Sequence, residues 1–109
     1  MKVQDVMTNS VICCGPNTDL ATAARIMLDS DCGILPVLDN EGRVIGLITD
    51  RDISLAAGAM SRRASDVLVG EVTTFEVYAC KPEDNVQEAL RTMQKAKVRR
   101  LPVICSVAL

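Results

Sequence analysis

The stretch Ile34-Leu-Pro-Val-Leu38 occurs a second time, further along the chain, as Arg100-Leu-Pro-Val-Ile104. The agreement extends upstream with the same offset in the numbering: Pro16 and an apolar helical pattern precede the first stretch, and Pro82 with a similar pattern precedes the second. An internal duplication indicates two copies of one supersecondary unit, and it constrains the fold more strongly than any single motif.

The first copy is predicted to be a β-α-β-β-α unit. Its predicted elements, in chain order, are a brief strand at 11–13, a helix at 19–29, strands at 34–38 and 43–48, and a helix at 49–59. Thr18 is the predicted cap of the first helix. The segment Asp39–Gly42 is predicted to form the hairpin turn, with Gly42 supplying a positive φ.

The second copy is predicted to open at Asp66, whose Asp-Val-Leu resembles Asp5-Val-Met. The offset between these two tripeptides is smaller than the offset between Pro16 and Pro82, so extra residues must lie before Lys81, in a longer strand at 73–79. Asp84 with Gln87 predicts a capping box for a helix that runs to about Ala96. The predicted strand at 100–104 follows, and the apolar tail 105–109 carries no turn signal.

The predicted domain boundaries are 1–60 for the first repeat, 61–65 for a linker and 66–109 for an incomplete second repeat. Two such units bury their bare sheet faces when packed sheet to sheet, which predicts one α/β (α+β-like) domain with pseudo-two-fold symmetry. The last strand and helix of the second repeat are expected to be missing, because the counterparts of Thr49 and Asp52 would fall at 115 and 118, past Leu109.

Composition limits the function. Of the 109 residues 49% are hydrophobic but only 2% aromatic, so the core is predicted to be aliphatic. The formal net charge of −2 disfavours nucleic-acid binding, which usually needs a basic excess. The sequence has neither a membrane-spanning run nor a leader pattern, so a cytoplasmic location is expected.

The reactive residue types argue against catalysis. The chain has five cysteines without C-x-x-C spacing and no histidine, so a metal site is not expected, and the thiols are predicted to be small buried hydrophobes in a reducing compartment. Without histidine the usual general base for a Ser or Cys nucleophile is absent. The sequence therefore predicts a protein that is not an enzyme.

The ordered set of motifs, repeated, resembles a CBS (cystathionine beta-synthase) domain pair of the stand-alone bacterial type. The segments that carry the resemblance are 5–8, Pro16 with Asp19-Leu20, 35–39, 42–46, 47–53 and, in the second copy, 99–103. The resemblance implies a non-enzymatic regulatory module that binds AMP, ADP, ATP or S-adenosylmethionine in a cleft between repeats. It also implies a homodimer or higher homo-oligomer and an unidentified regulated protein.

The resemblance also implies a ligand site. The family motif G-h-h-[ST]-x-x-D, which holds the nucleotide sugar, falls on Gly46, Thr49 and Asp52. Asp52 would accept from the ribose hydroxyls, and Thr49 with the free backbone N–H groups of the helix start would meet a phosphate. The predicted adenine slot consists of Val11, Ile12, Ile34, Leu35 and Pro36. The predicted phosphate contacts are Arg99 and Arg100.

Alternatives remain open for each of these residues. Thr49-x-x-Asp52 is also a capping box that needs no ligand, and an Asp52 folded back onto the backbone of Thr49 would not hold a ribose. Arg99 and Arg100 also suit a solvated face. Ile34, where many ligand-binding repeats are more polar, favours a degenerate cleft that serves only dimerisation or protein interaction. We expect at most one nucleotide site per chain, and an unpaired edge at 100–104 that favours association.

Overall fold

A computed structural model describes residues 1–8, 11–73 and 77–104. The chain forms two compact units, one from Met1–Ser10 with Tyr78–Leu109 and the other from Val11–Val77. The Val11–Val77 unit thus contains residues from both sides of the predicted linker, and the other unit contains residues from both ends of the chain. The boundaries 1–60, 61–65 and 66–109 remain a prediction about the order of the repeats along the chain.

The Val11–Val77 unit contains most of the regular structure. Its elements are α1 (Leu20–Ser30), β1 (Ile34–Leu38), β2 (Val44–Thr49), α2 (Asp50–Ala59), a 3-10 turn (Ala64–Asp66) and the short α3 (Val69–Val72). The other unit contains a 3-10 turn (Val3–Asp5) and α4 (Val86–Ala96). The predicted α/β class is confirmed, and the helices and hairpin of the first copy lie within one residue of their predicted bounds.

The hairpin of β1 and β2 is antiparallel, with Ile34 opposite Thr49. Its turn has Gly42 at φ +80, a conformation that favours glycine. The carboxylate of Asp39 accepts hydrogen bonds from the backbone N–H groups of Glu41 and Arg43, both at 2.9 Å. The predicted turn and the positive φ of Gly42 are therefore confirmed, and the Asp39 side chain adds bonds that were not predicted.

The core of the Val11–Val77 unit is aliphatic, as the composition predicted. Fully buried side chains come from α1, the hairpin and the segment that leads into α3: Leu20, Leu35, Val37, Ile48, Val67 and Val69. Burial alternates along β1, where Leu35 and Val37 face the core and their neighbours are partly exposed. One face of the hairpin therefore packs on the helices.

The segment that contains α3 is joined to the start of α1 by backbone hydrogen bonds. The N–H of Val69 donates to the carbonyl of Thr18 at 2.7 Å, and that of Gly70 donates to the carbonyl of Pro16 at 2.8 Å. The N–H of Leu20 donates to the carbonyl of Val67 at 2.8 Å. A segment of the second copy thus completes the unit built by the first.

The same bonds recur in the other unit. The N–H of Val3 donates to the carbonyl of Asp84 at 2.8 Å, and that of Gln4 donates to the carbonyl of Pro82 at 2.9 Å. Val3 and Val69 are separated by the same number of residues as the two Leu-Pro-Val stretches, and so are the acceptors Thr18 and Asp84. Val69 and Val3 donate to carbonyl groups at equivalent positions of the two copies, so Val69 is the equivalent of Val3. The predicted match of Asp66 with Asp5 is therefore wrong.

Two predicted helix starts are also corrected. The cap of α1 is Asp19 rather than Thr18, since its carboxylate accepts from the N–H of Thr22 at 2.8 Å. The cap of α4 is Asn85, which accepts from the N–H of Gln87 at 2.8 Å, and not the predicted box of Asp84 with Gln87. In both helices the side chain immediately before the first helical residue is the one within reach of the free N–H groups.

The predicted short strands are not regular strands in the described residues. Residues 11–13 are irregular, and their neighbour Cys14 forms a single parallel bridge with Val37. Residues 100–104 carry one such bridge, between Cys80 and Val103, because no described residue plays the part that β2 plays for β1. Of the predicted strand at 73–79, residues 74–76 lie outside the described residues, as does the tail 105–109, and the rest is irregular.

Candidate functional site

The start of α2 carries the predicted sugar-binding pair. Thr49 is the N-cap, and its hydroxyl accepts from the N–H of Asp52 at 3.1 Å. The carboxylate oxygen Oδ2 of Asp52 accepts in return from the N–H of Thr49 at 2.9 Å. The two residues form a complete capping box. The motif therefore acts as the N-terminal cap of α2 in this chain.

The capping box occupies only part of the Asp52 carboxylate. Its Oδ1 atom accepts no hydrogen bond from the residues that the structure describes, and the side chain is partly exposed. A carboxylate has acceptor capacity on both oxygens. The cap and a ligand contact thus use different oxygens, so the two uses are compatible where the sequence suggested that they exclude each other.

The hairpin brings further residues to this helix start. Ile34 lies opposite Thr49 in the sheet register, and the N–H of Asp50 donates to the carbonyl of Gly33 at 2.9 Å. A Cβ atom added at Gly33 would lie 3.1 Å from Oδ2 of Asp50, so the carboxylate rests directly against the glycine backbone. The start of β1 and the start of α2 therefore form one surface with an apolar and an acidic part.

The predicted adenine slot is only partly available to a ligand. Leu35 is fully buried, so its side chain belongs to the core, and its backbone lies opposite Ile48 in the hairpin. Pro36 is partly exposed, but its carbonyl accepts from the N–H of Cys14 at 3.0 Å. Val11 and Ile12 are 57% and 51% exposed, and Ile34 is partly exposed. The accessible side chains of the set are therefore those of Val11, Ile12, Ile34 and Pro36, whereas that of Leu35 is not accessible.

The predicted phosphate contacts belong to the other compact unit. Arg99 and Arg100 follow α4 and are exposed, and neither forms an ion pair among residues 1–8, 11–73 and 77–104. Nearby Lys95 and Lys97 are also exposed, and Lys97 ends α4 in the left-handed conformation at φ +59. The four cations form a basic segment without a described acidic partner.

A concave surface that was not predicted lies at the far end of β1. It is an open depression of about 600 Å³. Its lining residues are Cys13, Cys14, Gly15, Pro16, Asn17, Thr18, Leu38, Asp39 and Asn40. The Asp39 carboxylate at its rim is already bonded to Arg43 through backbone and side chain. The one carboxylate that lines this depression is therefore engaged, in contrast to Oδ1 of Asp52 at the Thr49 end.

Two buried thiols, those of Cys14 and Cys80, are of low reactivity. Burial, with a smaller contribution from Cys13, raises the pKa of Cys14 to about 11. Burial and the charge of Asp84 raise the pKa of Cys80, the counterpart of Cys14 in the second copy. In the described part of the chain, no group of three or more His, Cys, Asp or Glu side chains is placed to hold a metal ion.

Comparisons with known proteins identify the class. The family model of the CBS domain matches residues 3–58 and 69–106. Hypoxic response protein 1 of Mycobacterium tuberculosis is 34% identical over 101 residues, which cover 93% of this chain and 71% of that protein. The chain therefore belongs to the CBS domain family and contains a CBS pair, a module that is generally regulatory.

Solved structures agree with the fold. The crystal structure of Hypoxic Response Protein I with two coordinated zinc ions superposes with a TM-score of 0.86 at 32% identity, covering 97% of this chain and 86% of that one. The CBS domain pair of protein MJ0100, in complex with 5′-methylthioadenosine and S-adenosylmethionine, gives a TM-score of 0.87 at 24% identity. This alignment covers 97% of this chain and 82% of that one. Among the described residues, no helix is long and apolar enough to cross a membrane.

Proposed function

We propose that this chain is a non-enzymatic regulatory module that binds an adenosine-containing ligand at the Thr49 end of the hairpin. The observation that carries the proposal is the half-used carboxylate of Asp52, which is fixed by the capping box and leaves Oδ1 available. Membership of the CBS family supports it, as does the neighbour MJ0100, whose CBS pair holds two adenosyl compounds.

In this proposal Asp52 accepts a hydrogen bond from a ribose hydroxyl through Oδ1. The adenine packs on the accessible apolar side chains of Ile34, Val11 and Ile12, and backbone groups of residues 11–13 read its edge. The rigid cap holds the carboxylate in place before the ligand arrives, which lowers the ordering cost of binding. The resemblance also implies phosphate contacts at Arg99 and Arg100, which belong to the other compact unit.

The wider role follows from the same module. We propose that ligand occupancy regulates a separate protein in the cytoplasm, and that the chain acts as a homodimer or higher homo-oligomer. Leu28, Leu55 and Leu90 support self-association, because these large apolar side chains are 73%, 59% and 55% exposed on helix surfaces. Exposed apolar surface of this kind is common at protein interfaces. Nucleic acid and membrane are not among the proposed partners.

Thermal unfolding with a panel of adenosyl ligands tests the proposal, with guanosine as the matched control. A ligand at about 100 times its dissociation constant should stabilise the chain by about 2.7 kcal/mol. At least one of adenosine, AMP, ATP and S-adenosylmethionine should raise the unfolding temperature, whereas guanosine should not. If no adenosyl compound has an effect at millimolar concentration, the proposal is wrong.

The alternative is an interaction module with a degenerate cleft. The observation that favours it is the capping box itself, since the motif has a structural role without any ligand. In that case the panel would leave the unfolding temperature unchanged. The chain would still associate with itself or with a partner, which analytical ultracentrifugation would detect.

A further inference from the structure

The outer faces of α1 and α4 carry opposite charges at equivalent positions of the two copies. The offset that relates the two Leu-Pro-Val stretches also relates Asp29 to Lys95 and Asp31 to Lys97. All four side chains are exposed. At two matching surface positions the first copy is therefore acidic where the second copy is basic.

These charges gain little within their own units. Among residues 1–8, 11–73 and 77–104, none of the four forms an ion pair. Asp29 lies in the last turn of α1 and Asp31 is its C-cap, where the negative end of the helix dipole disfavours an anion. In α4, Arg91 and Lys95 lie one turn apart, and such like charges are unfavourable on an isolated helix. Contact with a surface of the opposite sign would therefore stabilise both faces.

Each face also exposes a large apolar side chain. Leu28 on α1 is 73% exposed, and Leu90 on α4 is 55% exposed. The position of α1 that is equivalent to Leu90 carries the small, exposed Ala24, so α1 offers room beside Leu28 for a leucine of the other face. An apolar centre with a charged rim is typical of protein–protein interfaces.

The net charges of the two compact units have opposite signs as well. The Val11–Val77 segment contains five basic and ten acidic residues, a formal net charge of −5. The segments Met1–Ser10 and Tyr78–Leu109 together contain seven basic and four acidic residues, a formal net charge of +3. Between two copies of the chain, unlike units attract each other and like units repel each other.

We infer that copies of this chain associate head to tail, with the outer face of α1 in one copy docked on the outer face of α4 in the next. Leu28 and Leu90 form the apolar centre of this contact. The acidic end of α1 lies against the basic end of α4, with Asp29 and Lys95 as the exposed charges of opposite sign. The inference rests on the self-association proposed above and specifies its contact.

Sedimentation equilibrium of charge-reversal variants, in about 0.05 M salt, tests the inference. Asp29→Lys and Lys95→Asp should each weaken self-association about threefold to tenfold, because an attraction between exposed charges becomes a repulsion. The double variant, with both substitutions, should restore the dissociation constant to within about twofold, since the contact again joins opposite charges. Glu83→Lys and Lys81→Asp are the matched controls, because they change the net charge equally at exposed positions outside both faces.

The outcomes separate this contact from the other proposals. Circular dichroism verifies that each variant is folded, and Asp29→Lys should stabilise α1, because a cation suits the negative end of the helix dipole. If both single variants weaken association and the double variant does not restore it, or if the controls have equal effects, the head-to-tail contact is wrong and the proposed self-association stands. A monomeric unmodified chain at submillimolar concentration overturns both, whereas the proposed ligand binding is decided separately by the thermal unfolding panel.

Discussion

Thr49 and Asp52 bond to each other twice, each side chain accepting from the backbone N–H of the other. This reciprocal pair fixes the start of α2 and, at the same time, the direction of the Asp52 carboxylate. In our proposal Asp52 thus serves both as a helix cap and as a ligand contact. Replacing Asp52 should consequently weaken both the fold and ligand binding, whereas replacing an ordinary cap such as Asp19 should weaken the fold alone.

The first prediction concerns stability. Asp52→Ala and Asp19→Ala each remove an acidic side chain that bonds to the start of a helix, in α2 and α1 respectively. Each should lower the free energy of unfolding by about 1 kcal/mol, the usual cost of a lost cap. Urea denaturation monitored by circular dichroism measures this. Unchanged stability of Asp52→Ala would mean that the capping box contributes nothing to the fold.

The second prediction compares two glycines. A Cβ atom at Gly70 would lie 3.0 Å from the carbonyl oxygen of Pro16, whereas one at Gly58 would meet nothing within 4 Å. Gly70→Ala should therefore destabilise the chain by about 1–3 kcal/mol, because the backbone must shift. Gly58→Ala in α2 should stabilise it by about 0.5–1 kcal/mol. The same urea titration decides, and equal effects of the two substitutions would contradict the close approach of α3 to Pro16.

Much of this architecture could be predicted from the sequence, since a 3.6-residue apolar period and a repeated Leu-Pro-Val stretch are strong local signals. The predicted equivalence of the two copies is wrong where a short stretch of identical residues points to one register and the backbone hydrogen bonds show another. The shared Asp-Val dipeptide predicts that Asp66 corresponds to Asp5, whereas backbone bonds to distant carbonyl groups make Val69 the equivalent of Val3. A weak local signal cannot reveal such a register.

The candidate site shows the same limit. The resemblance to the CBS domain implied the pair Thr49 and Asp52 as ligand contacts, and the spacing of the two residues predicted the capping box. The full burial of Leu35 was missed, since a run of five apolar residues does not show which of them face the core. The engagement of Asp50 with Gly33 and of the remaining N–H groups depends on how the hairpin meets the helix, which spacing alone does not determine.

The third prediction concerns pH. Backbone N–H groups lower the pKa of Asp19 and Asp39 from 3.8 and that of Glu71 from 4.5, with Thr22, Arg43 and Leu68 as the respective principal donors. A carboxyl group with a lowered pKa in the folded state stabilises the fold above its unfolded pKa, and this contribution is lost as the pH falls through the folded value.

The free energy of unfolding should therefore stay level from pH 7 to about pH 5.5 and decline below about pH 4.5. Denaturation midpoints in urea at several pH values measure the profile. Glu71→Gln should show a shallower decline, because it removes one of the three groups. A rise in stability between pH 5 and pH 3 would show that these bonds do not favour the charged forms.

The fourth prediction concerns the adjacent thiols. Cys13 is exposed, whereas Cys14 is buried with a pKa raised to about 11. Because the thiolate is the reactive form, Cys13 should be alkylated by iodoacetamide at pH 8 much faster than Cys14. Tandem mass spectrometry of the peptide that contains both locates the label. Preferential labelling of Cys14 would contradict its burial against Val37.

The fifth prediction, binding of 5′-methylthioadenosine to the matched cap variants, tests the central claim most directly. Isothermal titration calorimetry should give the same dissociation constant for the unmodified chain and for Asp19→Ala, because Asp19 lies outside the candidate site. Asp52→Ala should bind at least about tenfold more weakly, the loss expected for a hydrogen bond to a charged group. Equal dissociation constants for Asp52→Ala and Asp19→Ala would contradict the account and leave Asp52 as a helix cap alone.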